Sequence, residues 1–474
     1  MKKKIIIIGA GIAGLAAGCY GQLNDYETEI YEMHNLPGGL CTSWNRKEYT
    51  IDGCIHWLMG TNPQSRFYQS WNDIGALAGR EFLHYDEIMQ VECATGRKLT
   101  LYSDMDRLED HLLKLVPADA AIIKELTEAV RTRAIFLNQA PPDNLAKYSA
   151  ITIRDFVRRF QEPLLREAFL AFAPGEYPMS SLILQLAVYQ GRDAVWPVGG
   201  SLEFARGIEK RYLALGGRIH YQAKVAEILT NSNRATGIKL SDGAVIPADF
   251  VISAADGYAT IFGMLGGQWL DEGIKALYGA NANISRTSVQ VSFGIHADLS
   301  DQPYFLKVKL DQPFWVGGVA NPDILIRNYS YDRTLCPLAK SVLTATLYTH
   351  YEDWEALARN PEAYRNEKEQ IAGRVQEIIN DRYPAVRGKI EVVDTATPVT
   401  YHRYTGVWKG AYCGWAGPPQ KIPATLPGLS RFYMTGQWTQ PVGGLPTALM
   451  TGKGSVIRIC KEDEKAFLGT AGGR

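Results

Sequence analysis

An α/β fold is predicted for this 474-residue chain, with a buried parallel sheet collected from separated stretches and an α+β unit inserted between them. Three observations predict it. The chain opens with an apolar strand, a run of spaced glycines and a helix. Its middle carries period-two strands preceded by a long helical stretch. Close to its end a strand, a glycine-rich loop and a helix recur.

Ile5 to Ile8 is wholly apolar and β-branched, as a strand buried on both faces requires. Gly9-Ala10-Gly11-Ile12-Ala13-Gly14 follows, and Leu15 to Tyr20 has helical character. A second strand, Glu29 to Tyr31, ends at Glu32, 18 residues past Gly14. Gly9 permits the tight turn, Gly11 lets backbone approach a pyrophosphate, and Gly14 lets the helix lie close on the strand. Free N–H groups at the helix start face the phosphates. Glu32 is placed to accept hydrogen bonds from ribose hydroxyls, and its charge repels a 2′-phosphate. Glycines at this spacing alone are weak evidence; flanked by strand, helix and an acid in register, they mark a dinucleotide site. Lys2 to Lys4, the apolar run and Ala16-Ala17-Gly18-Cys19 also look like an export leader. Three glycines inside the apolar run, and Glu32 beyond it, argue against that reading.

The length allows two domains with large cores. Basic and acidic residues number 50 each, so no net field favours nucleic acid. The 7 cysteines are scattered, odd in number and without a CxxC pair, which suits reduced thiols in a cytoplasm. The 8 histidines show no metal-ligand spacing, and no metal is expected. No apolar run reaches the roughly 18 residues of a spanning helix. A soluble cytoplasmic protein is therefore expected, with contact at a membrane surface as the further option; oligomeric state is not set by the sequence. The 25 tyrosines and 10 tryptophans, several near the C-terminus, suggest an aromatic-lined pocket.

After Glu32, Gly38 and Gly39 form a second glycine pair, either a simple turn or another backbone loop against the same cofactor. Tyr49 to Leu58 reads as an extended segment carrying His56 and Trp57. From about Asp104 to Gly191 the pattern is helical, with Leu108, Leu112 and Leu115 at helical spacing. The apolar faces at Leu164 to Phe169 and Ser181 to Ala187 are either core or the lining of a tunnel for an apolar substrate. A helix runs to Leu215, Gly216-Gly217 ends it, and strands follow at Arg218 to Tyr221 and Lys224 to Leu229. Asp242-Gly243 supplies a hairpin turn, and Phe250 to Ser253 is another buried strand. This block reads as the first sheet resumed. Ser288 to Ile295, Ile324 to Tyr329 and Ser341 to Tyr348 alternate at period two, which predicts an antiparallel sheet with one buried face. Pro361 to Tyr383 is a charged helix, and Ile390 to Val393 leads back to the first domain.

Arg431 to Gly436 reads as a final strand, Gln437 to Pro446 as a loop and Thr447 to Ile457 as a helix. Taken alone this is an ordinary turn or a second set of backbone N–H donors; in a flavoprotein such donors face the ring end where negative charge develops on reduction. Together, Lys4 to Glu32, Pro37-Gly38-Gly39, Thr42-Ser43-Trp44, Asp52 to Trp57, Pro197 to Gly200 and Tyr433 to Pro446 resemble the phytoene desaturase, carotenoid isomerase and retinol saturase superfamily of amine oxidase-like flavoproteins. The likeness runs in order along nearly the whole chain. Two positions depart from it: Glu48 stands where glycine is usual, and Val442 stands within what is often a triple glycine.

The resemblance implies non-covalent FAD in a discontinuous Rossmann-type domain with an inserted α+β substrate domain, part helical and part antiparallel sheet. The FAD domain is expected at residues 1–85, 193–270 and 401–474, the helical insertion at 86–192 and the sheet insertion at 271–400. The expected cofactor-binding set is Gly9, Gly11, Ile12, Ala13, Gly14, Glu32, Met33, Gly38, Gly39, Leu40, Trp57, Val225, Gly436, Gln437, Gly444, Leu445 and Pro446. Val225 would lie beside the adenosine half and Gly436 beside the flavin. Tyr404, Trp408, Trp415 and Trp438 are candidate pocket walls, and His56 is the candidate proton donor or acceptor, each also explicable as plain structure. The implied activity is desaturation, saturation or isomerisation of an apolar, isoprenoid or polyene substrate. A flavin amine oxidase is the alternative, although that group usually has an acid where this chain has Gln437. A flavin-holding binding protein without turnover is the alternative of another class.

Overall fold

A computed structural model describes residues 2–93, 96–279, 282–415, 422–440 and 443–469. The strand Lys4–Ile8 pairs with Glu27–Tyr31 on one side and Phe250–Ser253 on the other, both parallel. Arg218–His220 extends the sheet beyond Glu27–Tyr31, and Phe432–Met434 extends it beyond Phe250–Ser253. The central strand is isoleucine at four consecutive positions because both its faces are covered. Ile5 and Ile7 pack with the helix Ile12–Leu23, while Ile6 and Ile8 pack with Val225, Ile228 and Ile238 of a three-stranded meander. The turn at Asp242-Gly243 joins the last two strands of that meander, as expected.

A second sheet has seven strands in the order Ile390–Ala396, Thr287–Ile295, Ser341–Thr349, Val319–Asn328, Phe305–Val316, Glu87–Glu92 and Lys98–Tyr102. It is antiparallel except where Phe305–Val316 meets Glu87–Glu92. One face, with Val291, Phe293, Ile324, Ile326 and Leu343, is buried with Val375 and Ile379 of the helix Pro361–Arg382. Near the strands at its opposite edge lie the helices of the stretch between Met105 and Gln190.

Two features differ from expectation. Glu87–Glu92 and Lys98–Tyr102, within the stretch expected to be a helical insertion, pair antiparallel on the edge of this sheet. Phe305–Val316 is a long strand that the sequence pattern hides, because Pro313 and a register slip between Lys309 and Phe314 break its alternation. Glu48 lies on an exposed hairpin turn, paired with Lys340. Val442 lies outside the described residues. Among the described residues no helix is long and apolar enough to cross a membrane.

Candidate functional site

The glycine turn has the geometry that its spacing calls for. Gly9 takes φ +97° and donates its N–H to the Tyr31 carbonyl at 2.8 Å. A Cβ on Gly14 would stand 2.0 Å from the Gly9 carbonyl oxygen, so only glycine lets the helix sit on the turn. Gly11 is different: a Cβ there would meet only the Gly38 carbonyl, at 3.8 Å. The helix Ile12–Leu23 begins at Gly11 without a side-chain cap, which leaves N–H groups of its first turn available. Ile12 and Ala13, in that turn, are buried. Gly38 donates to the Ala10 carbonyl at 2.9 Å and bridges to Gly11, so Gly39 and Leu40 follow directly along the turn.

Glu32 accepts from the Ala10 N–H at 2.7 Å and the His34 N–H at 2.8 Å, one bond to each carboxylate oxygen. Burial pushes its carboxyl above the ordinary range against the pull of these bonds. Each oxygen retains acceptor capacity for a hydroxyl. Met33 beside it is exposed. Val225 is buried two residues after Ala223, whose N–H donates to the Glu32 carbonyl at 2.8 Å.

The C-terminal loop adds a second uncapped helix start. Gly436 takes φ +139° and donates to Thr451 Oγ1 at 3.1 Å. Gln437 Oε1 accepts from the Gly444 N–H at 2.8 Å, while its Nε2 donates to the Tyr412 carbonyl. An acid at this position would lose the second bond. The helix Leu445–Glu462, with Pro446 in its first turn, starts at Gly444 without a side-chain cap. It rests on the first helix at Gly452, where a Cβ would stand 2.4 Å from the Ala13 carbonyl oxygen. The Trp438 indole N–H, buried without a partner, lies against Gly436, where a Cβ would stand 2.6 Å from Nε1. An open glycine backbone at Gly11, two uncapped helix starts and an orphaned donor suit a long ligand with phosphates and a polar ring.

The four aromatic wall candidates do not form one wall. Trp415 donates its indole N–H to the Trp438 carbonyl at 2.7 Å, and Trp408 stacks on Tyr258 with centroids 5.3 Å apart. Their rings are taken up by packing within this cluster. Tyr404 stands apart, exposed and edge-on to His34 at 5.3 Å.

A cavity of about 170 Å³ lies elsewhere, bounded by the second sheet, the helices Pro163–Phe172 and Met179–Gln190, and the His56–Trp57 segment. None of the four wall candidates lines it. Trp57, Met89, Phe172, Tyr189 and Leu325 give it apolar walls, and Lys307, Asp323 and Arg327 give it charge. Lys307 pairs with Asp323 at 3.1 Å. Arg327 Nη2 lies 2.8 Å from His56 Nδ1. A guanidinium can only donate, so Nδ1 accepts and the ring proton sits on Nε2. Burial and the Arg327 charge push the His56 ring well below its usual range, which keeps it neutral. Sequence reasoning singled out no cation near this cavity. The signal lay in strand parity: Asp323, Leu325 and Arg327 share one face, and Ile324 and Ile326 take the core face.

Comparison with known proteins agrees with this architecture. A family model described as flavin containing amine oxidoreductase matches residues 12–460. A chloroplastic prolycopene isomerase of Arabidopsis thaliana is 24% identical, over 90% of this chain and 76% of its own length. A lycopene-forming phytoene desaturase of Pseudescherichia vulneris is 22% identical, over 97% of this chain and 99% of its own. The crystal structure of an oxidoreductase from Methanosarcina mazei shares the fold with a TM-score of 0.64 at 16% identity, covering 96% of this chain and all of that one. The chain belongs to the flavin-containing amine oxidoreductase family, and it is an FAD-dependent oxidoreductase.

Proposed function

We propose that the protein oxidises, reduces or isomerises carbon–carbon bonds of an apolar, isoprenoid-like substrate held in the cavity beside His56 and Trp57. The observation that carries this reading is the cavity's apolar wall, contributed by helices of one segment and strands of another. Relatives named for lycopene formation and prolycopene isomerisation, spanning nearly the whole chain, support it. FAD supplies the hydride acceptor or donor. Gly9, Gly11, Gly14, Gly38 and Gly39 hold its pyrophosphate, Glu32 its ribose, and Gly436 to Pro446 its ring. His56, held neutral, offers a fixed Nε2–H donor rather than a mobile proton. The domain limits expected from the sequence remain part of this proposal.

The family's description also favours an amine oxidase reading. Two cations and one acid line the cavity, and that surplus repels an ammonium group. The two readings separate under anaerobic conditions. Polyenes presented in micelles to oxidised and to reduced enzyme should bind and be converted, whereas primary amines should leave the flavin oxidised. Rapid flavin reduction by an amine, with no polyene binding in either redox state, would reverse the assignment.

A further inference from the structure

The cavity holds a cation with no acid to match it. Arg327 is 6% exposed, and among the described residues no carboxylate lies within ion-pair distance of its guanidinium. Its Nη2 is spent on a neutral histidine, its Nε is buried without a partner, and Phe305 lies 5.1 Å below it as an aromatic face. The only acid on the cavity wall among the described residues, Asp323, already pairs with Lys307, which also donates to the Ala171 carbonyl at 3.2 Å. Tyr189, also on the wall, is pushed further from ionising by burial, so it supplies no anion. A guanidinium removed from water without a counter-charge is costly, and a partner from outside the chain would relieve that cost.

We infer that the substrate carries a carboxylate that docks on Arg327, with its apolar body along Trp57, Met89, Phe172 and Leu325. This rests on the reading that the cavity takes the substrate, and it narrows that substrate to an apolar carboxylic acid. The planar guanidinium matches a carboxylate with parallel N–H donors. Arg286, exposed at the strand end, lies 5.6 Å over the ring of Tyr348 and so adds positive charge beside the same wall.

The test uses the FAD-loaded enzyme and four probes with one apolar body: geranic acid, methyl geranate, geraniol and geranylamine. Binding is read by calorimetry and by perturbation of the flavin spectrum. The acid should bind at least about tenfold more tightly than its ester. Arg327→Gln should close that gap by weakening the acid more than the ester, and Arg327→Lys should restore part of it. The acid–ester comparison in the wild type stands whether or not Arg327→Gln folds. Equal affinity for acid and ester, no binding of the acid at millimolar concentration, or an unchanged gap in Arg327→Gln overturns the inference. If the ester and geraniol still bind, the apolar cavity reading survives that failure. Tightest binding by geranylamine, with flavin reduction, overturns both.

Discussion

At the scale of single residues, His56 shows how a position visible in the sequence acquires its meaning only from a distant partner. Its place in the Asp52 to Trp57 motif marked it as a proton donor or acceptor, but nothing nearby in the chain foretells Arg327, 271 residues away. The guanidinium and burial hold the ring neutral in the folded protein. In the unfolded chain the ring titrates near its ordinary pKa of about 6.5. The folded value is the lower one, so the contribution to stability is complete above about pH 6.5 and is lost as the pH falls below it. The loss runs at about 1.4 kcal/mol per pH unit for one proton. Thermal unfolding of wild type and His56→Gln between pH 7.5 and 5.5 checks this. Glutamine can still accept from Arg327, so the wild type should lose stability faster as the pH drops. Parallel curves would show that His56 titrates alike in both states.

At the scale of elements, the strand–turn–helix unit was legible because each of its glycines answers a separate local constraint. A Cβ on Gly14 would collide with backbone, and one on Gly11 would make only an ordinary contact with the Gly38 carbonyl. The two therefore predict different failures. Gly14→Val forces the helix off the Gly9 carbonyl and should destabilise the fold by about 3 kcal/mol or more, read as a lower melting temperature even without FAD. Gly11→Val should keep the apoprotein's melting temperature within a few degrees and lose FAD binding by about a hundredfold or more, because its methyls occupy the pyrophosphate approach. Equal FAD affinity in wild type and Gly11→Val would remove this unit from the site. The second sheet was less legible. Ser288 to Ile295 alternates cleanly, but Phe305–Val316 carries lysines, a proline and a slipped register, and Glu87–Glu92 joins it across more than 200 residues of chain. Local pattern cannot report that pairing. Of the cavity's walls the sequence therefore offered one side, the apolar helices read as core or tunnel lining and the segment of His56 and Trp57, while the sheet side stayed hidden and the aromatic residues nearest the C-terminal loop stood in for it.

At the scale of the whole molecule, the first sheet is assembled from the beginning, middle and end of the chain. Its edge strand Phe432–Met434 arrives last, and the following helix is seated by Gly452 on the helix that opened the fold. Sequence order alone could not bring these ends together; the resemblance to a known family did, by supplying the topology that joins them. One cofactor spanning both uncapped helix starts would make the ends mutually dependent. FAD at 100 times its dissociation constant should stabilise the protein by about 2.7 kcal/mol. The more telling expectation concerns where that stabilisation falls. Hydrogen exchange on apo- and FAD-loaded protein should show added protection at residues 9–16 and, in step with it, at 443–452. The strands Thr287–Ile295 and Ser341–Thr349, whose hydrogen bonds lie within the other sheet, should exchange alike in both states. Protection confined to residues 9–16 would mean that the C-terminal helix start does not touch the cofactor, and that Gly436 to Pro446 serves only to close the sheet.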